Sequence, residues 1–104
     1  MNAEGPQPEL DRVIHEPARL KIMTVLYVAD SADFTYLLGE CGLTKGNLSV
    51  QLTRLEDAGY VRIDKTFRGK IPRTTASLTT AGRQAFRAYR DYLGKLLEDT
   101  GRPL

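Results

Sequence analysis

The feature that most constrains this chain is a gap of four residues. Residues 34–40 (FTYLLGE) and 45–58 (KGNLSVQLTRLEDA) both read as helices, and only Cys41, Gly42, Leu43 and Thr44 separate them. Two helices joined by so short a glycine-containing turn form a helix-turn-helix unit. Asp33 is placed to cap the first of the pair, and Phe34, Leu37 and Leu38 turn inward. Gly42 can take the left-handed conformation that stops that helix. Thr44 then caps the second, in which Leu48, Leu52 and Leu55 recur at spacings of four and three and so line one side.

The flanking segments complete the pattern. Upstream, residues 9–14 predict a short helix, and Pro17 suits the first turn of a longer one running to Ala29. Residues 30–33 (DSAD) read as a polar break. Downstream, Gly59 stops the helix, and residues 60–65 (YVRIDK) alternate as a half-buried strand does. Residues 66–72 predict a turn around Gly69, and residues 73–78 (RTTASL) a returning strand. Thr79 or Thr80 caps a final helix from Ala81 to about Glu98. The expected fold class is mainly α with a small β-hairpin (α+β), one domain over residues 9–98. Residues 1–8 are expected to be a mobile arm and residues 99–104 a tail.

Size and charge narrow the classes of function. A chain of 104 residues is one domain. It has no apolar run near the ~20 residues a membrane span needs, and Met1 to Pro8 carry no signal-peptide core. A single cysteine, Cys41, forms no internal disulfide, so the expected location is the cytoplasm. Net charge is only +2, but its distribution is uneven. Residues 44–73 hold seven basic residues against three acidic ones, and the rest holds eight against ten. A local gathering of cations suits a polyanionic partner.

Three stretches carry a resemblance: HEPARLKIMTVL (15–26), LTKGNLSVQLTRLEDAGYV (43–61) and RGKIPRTTASLTTAGRQAF (68–86). Together they resemble winged helix-turn-helix transcriptional regulators of the MarR and ArsR type, in particular a subgroup of short single-domain proteins. The resemblance spans about residues 9–98. It implies a sequence-specific regulator of double-stranded DNA, a dimeric repressor that competes with polymerase at a roughly palindromic operator. Helix 44–58 would read the major groove and wing 65–73 the flanking DNA.

The residues fit that expectation. The outer and flanking positions of the second helix include Lys45, Asn47, Ser49, Val50, Gln51 and Arg54. Asn and Gln can bond adenine bidentately, and Lys or Arg can reach guanine or phosphate. Val50 departs from the longer polar residue of many relatives; it either touches a thymine methyl or lowers direct readout. In the wing, Lys65, Arg68, Lys70 and Arg73 surround Gly69, suited to phosphates or to the minor groove. Phe86, Tyr89, Leu93, Leu96 and Leu97 of the final helix, joined by Leu10, Val13 and Ile14, are the candidate dimer interface. A two-fold dimer would set the two recognition helices roughly 34 Å apart.

Competing readings concern the same residues. The modest net charge and Val50 suit a winged-helix protein–protein interaction module without specific DNA binding. A cleft lined by Tyr27, Tyr89 and Tyr92 could take a small apolar effector, although aromatic residues at helical spacing are more often core. One histidine, His15, and one cysteine far apart in sequence do not make a metal site, so no metal or cofactor is expected. Cys41 reads as a small buried hydrophobe, with an oxidation-sensing role as the alternative. No phosphate-binding glycine loop or nucleophile–base arrangement suggests an enzyme.

Overall fold

Every helix begins on a side chain that accepts a backbone N–H, as the cap residues require. The computed structural model describes residues 9–101. Glu16 precedes α1 (Pro17–Ala29) and accepts the Arg19 N–H at 2.8 Å, with Pro17 in the first turn. Asp33 caps α2 (Phe34–Cys41) through the Tyr36 N–H at 2.8 Å. Thr44 caps α3 (Lys45–Asp57) through the Asn47 N–H at 3.1 Å. Thr79, not Thr80, caps α4 (Thr80–Leu97) through the Gly82 N–H at 2.9 Å. Each cap stabilises by about 1 kcal/mol. Gly42 ends α2 in the left-handed region, at φ 64°, which turns the chain directly into α3.

The strands differ in two ways from expectation. Residues 31–33 are not a simple break. They form a short strand, β1 (Ser31–Asp33), paired antiparallel with β3 (Ile71–Leu78). Three residues carry no alternation to read, so this strand exists only because β3 offers an edge. The hairpin is also longer than expected: β2 (Val61–Arg68) pairs with β3 along its whole length, from Val61 opposite Leu78 to Arg68 opposite Ile71. The turn shrinks to Gly69 and Lys70. Gly69 takes φ 65° at the first loop position, as a two-residue hairpin of the II′ kind requires. The sheet order is β1-β3-β2.

The core sits between the helices and the base of this sheet. Ile22, Met23 and Leu26 of α1 meet Leu37 of α2, Leu48 and Leu55 of α3, Val61 and Ala76 of the sheet, and Phe86 and Tyr89 of α4. The leucines spaced along α3 are thus buried as their period predicts. α4 is held against the sheet by a close approach: Gly82 faces the Tyr60 carbonyl so tightly that a Cβ there would lie 2.1 Å from its oxygen. The exposed end of α1 lacks basic residues of its own. Arg83 of α4 reaches over to the Tyr27 carbonyl and the Asp30 carboxylate instead, offsetting the negative helix end.

Residues 9–14 do not form the expected short helix. Asp11 Oδ1 accepts the N–H groups of Val13 and Ile14, closing a single turn that competes with helix propagation. Asp11 Oδ2 accepts from the Tyr60 hydroxyl at 2.6 Å, which anchors the turn to the start of the hairpin. The expected tail begins with a 3-10 turn, Glu98–Gly101. The proposed arm, residues 1–8, and residues 102–104 lie outside the described residues. Among the described residues no helix is long and apolar enough to cross a membrane.

Candidate nucleic-acid interface

Burying Leu48, Leu52 and Leu55 forces the opposite side of α3 outward. Lys45, Asn47, Ser49, Val50 and Arg54 are exposed there, and Gln51 is half-buried. Val50 is 50% exposed, so its isopropyl group is free to meet an apolar contact. α3 also presents its free N-terminal N–H groups beside Lys45, a favourable end for a phosphate.

Gln51 is less available than its sequence position suggests. Its Oε1 accepts from Arg19 Nη1 at 2.7 Å, and its Nε2 donates to Asn47 Oδ1 at 2.9 Å. Arg19 Nε in turn donates to the Val13 carbonyl. The chain of donors therefore runs from α1 through Gln51 to Asn47. It holds the Asn47 oxygen toward Gln51 along the helix and leaves the Nδ2 donors for an outside acceptor. Sequence reasoning missed Arg19. It lies 32 positions from Gln51, and its only local signal is a cation among the mostly apolar residues of α1.

The hairpin continues the same side of the molecule. Lys65 and Thr74 share a cleft of about 250 Å³ with Ser49, Thr53 and Glu56 of α3. Farther out, Arg68, Ile71, Pro72 and Arg73 border a second cleft, of about 420 Å³, with Asp33 and Thr35 at the start of α2. Arg73 pairs with Asp33 at 3.4 Å; both side chains are partly solvated, so the pair orients Arg73 more than it stabilises the fold. Among the described residues Lys45, Arg54, Lys65, Arg68 and Lys70 form no ion pair.

The proposed dimer residues separate into two sets. Ile14, Phe86 and Tyr89 are 0%, 8% and 3% exposed and belong to the chain's own core. This corrects the expectation that they face a partner: a side chain already dry within one chain has no surface left to bury. Leu10, Val13 and Leu93 are half-buried, and Leu96 and Leu97 are exposed.

The remaining aromatic and reactive groups are engaged within the chain. Tyr89 Oη lies 2.9 Å from His15 Nδ1, and burial raises the Tyr89 pKa. Tyr27 stacks on Phe86 at 4.8 Å between centroids, with the Arg83 guanidinium over its ring. A hydrogen bond from Arg87 lowers the Tyr27 pKa. Two of the three tyrosines proposed for an effector cleft thus serve packing, and Tyr92 is half-buried. Cys41 is 2% exposed, and burial pushes its thiol up, away from the reactive thiolate.

Comparison with known proteins gives this geometry a context. A model of the winged helix DNA-binding domain matches residues 18–97. An uncharacterized protein of Methanocaldococcus jannaschii is 34% identical over 79 residues, 75% of this chain and 85% of that protein. The structure of a transcriptional regulator homologue from Pyrococcus horikoshii superposes with a TM-score of 0.81 at 27% identity, over 86% of this chain and 89% of that one. A protein of Enterococcus faecalis described as a MarR-family transcriptional regulator shares the fold, with a TM-score of 0.71 at 21% identity over 85% and 81% of the two chains. The helix-turn-helix of α2 and α3, the hairpin wing and the matched 80-residue span lead to one assignment: this chain belongs to the winged helix DNA-binding domain family.

Proposed function

We propose that this protein is a sequence-specific, homodimeric transcriptional repressor that lays α3 in the major groove and its hairpin on the flanking DNA. The observation that carries the reading is the shared cleft. Ser49, Thr53 and Glu56 of the recognition helix and Lys65 of the wing border one groove, Arg68 and Lys70 follow toward the hairpin tip, and none of these three cations forms an ion pair. Cations left unpaired along a hairpin beside the outer side of α3 suit a duplex, whose phosphates supply the anions.

Within that reading each residue has a role. Lys45, Arg54, Arg68, Lys70 and Arg73 contact phosphates. Asn47, through its outward amide, and Ser49 read base edges, and Val50 meets a thymine methyl. Gln51 acts by holding Asn47 in place. Leu96 and Leu97, extended by Leu93, Leu10 and Val13, form the contact between two copies. The repressor occupies an operator and excludes polymerase, as a binding protein without catalysis or cofactor.

Selection of bound sequences from a random duplex library tests the reading. The expected product is a pseudo-palindrome with half-sites about 10 base pairs apart or a multiple of that. Binding to the selected duplex should fall steeply with salt. Enrichment of no sequence, together with salt-insensitive binding, refutes it.

A further inference from the structure

The wing tip carries an aromatic side chain that the fold does not use. Phe67 is 73% exposed, and Ile71 close by is 69% exposed. Neither covers the core, and both cost solvation where they stand. The charges and Pro72 at this tip already guard the hairpin against edge pairing, and Phe67 adds nothing to that protection.

The register gives Phe67 a direction. Successive strand residues alternate between faces, so Phe67 lies on the same face as Lys65, Ile63 and Val61. That face turns to the core at Val61, which is 2% exposed, and to the cleft beside α3 at Ile63 and Lys65. Phe67 is the next position outward, roughly 7 Å beyond Lys65 along the strand. It therefore projects from the wing on the side where α3 presents its outer residues. Directly across from it stands Pro72, a rigid neighbour.

The surroundings select the occupant. From Lys65 to Arg73 the hairpin holds four cations and no acid; Lys65 shares the face of Phe67, Arg68 and Arg73 lie on the opposite face, and Arg73 is paired with Asp33. An apolar side chain set within such a field is suited to an anionic partner with an apolar interior. A DNA duplex is such a partner: phosphates outside, stacked bases within. Minor-groove binders insert side chains of this kind between base pairs, and pyrimidine–purine steps yield most easily.

Resting on the DNA-binding reading above, we propose that Phe67 is an apolar wedge that enters the minor groove beside the major-groove site and partly unstacks one base step. The cations around it hold the wing to the backbone without regard to sequence. Phe67 adds a preference for a deformable step at a position that no polar side chain reads, and it bends the duplex there.

The test uses the full chain and the duplex obtained by selection, with 2-aminopurine replacing adenine at successive flanking positions. Binding of the unaltered protein should raise the fluorescence of the probe at one step. Phe67→Ala should abolish that rise and weaken binding about 10- to 100-fold, while the salt dependence of binding stays as before. Phe67→Leu should restore part of both. Because Phe67 is outside the core, the thermal midpoint of each variant should match that of the original chain, which separates the wedge from a folding defect. Unchanged affinity and fluorescence in Phe67→Ala, or no fluorescence change at any step with the original chain, overturns the wedge and leaves the DNA-binding reading standing. Failure of the original chain to bind any duplex sinks that reading first and the wedge with it.

Discussion

Arg19 of α1 donates to Gln51 of α3 at 2.7 Å, so α3 is braced from behind by a residue that never reaches its outer surface. The guanidinium is mostly buried, with only 13% of its side chain exposed, and it also bonds the Val13 carbonyl and lies 3.9 Å from Glu16. A charge-assisted bond in such a setting contributes more than a neutral surface contact. The outcome is a fixed Gln51, and through it a fixed Asn47.

That relationship yields a first prediction. Arg19→Ala should destabilise the fold by about 1–3 kcal/mol, since it removes several hydrogen bonds at a largely buried site. It should also narrow the gap between preferred and altered operators, although Arg19 touches no base. Asn47→Ala should cost about 1–3 kcal/mol of discrimination at one base pair and little stability. Binding titrations against single-base operator variants, run beside urea melts, separate the two effects. An Arg19→Ala protein with unchanged discrimination contradicts the bracing role.

The wing cations give a second prediction. Replacing Arg68 and Lys70 together by Ala should weaken binding to every duplex alike. The slope of log K against log salt should shrink by about 2, roughly 0.9 for each lost phosphate contact. Stability should stay within about 0.5 kcal/mol, because both residues are exposed and unpaired. A slope that does not change places these cations away from the DNA.

A third prediction concerns the contact between Gly82 and the Tyr60 carbonyl. Gly82→Ala puts a methyl 2.1 Å from a backbone oxygen, and neither backbone has a flexible side chain to give way. The step from the hairpin into α4 must open, at a cost of about 1–3 kcal/mol. Denaturant midpoints should record the loss, whereas Gly94→Ala, where an added Cβ meets nothing within 4 Å, should show none of this strain.

Stability should also depend on alkaline pH through Tyr60. Burial first, and then the hydrogen bond and charge of Asp11, push its phenol up to about 12 from the ordinary 10. A raised folded-state pKa means that the folded chain holds this proton more tightly than the unfolded chain. The contribution is complete below about pH 10 and is lost as pH rises from there through about 12. Thermal melts should therefore fall more steeply over that window for the original chain than for Tyr60→Phe. The variant should be less stable at neutral pH by about 1 kcal/mol, through loss of the bond to Asp11.

The proposed contact between two copies can be challenged directly. Leu96 and Leu97 are 57% and 51% exposed in the single chain. Leu96→Glu combined with Leu97→Glu should halve the mass measured by light scattering and weaken operator binding sharply, because two half-sites are no longer held together. Unchanged mass would place the contact elsewhere.

The sequence determined most of the features that depend on neighbours along the chain. Caps at Asp33, Thr44 and Thr79, the glycine stop at Gly42, and the leucine period of α3 are local, and each fixes a helix within a few residues. The outward set on α3 followed from the same period. Tertiary structure alone decided what depends on distant partners. β1 is a strand because β3 pairs with it, and the turn of residues 9–14, in which Asp11 accepts from the Val13 and Ile14 N–H groups, is anchored where it stands by the distant Tyr60 hydroxyl. Phe86 and Tyr89 looked like interface residues, since an apolar stripe on a helix reads the same whether it meets its own core or a second copy. Gln51 looked free to read bases because its partner Arg19 is far away in the chain. Periodicity tells which side of an element turns from water; only packing tells what it turns toward.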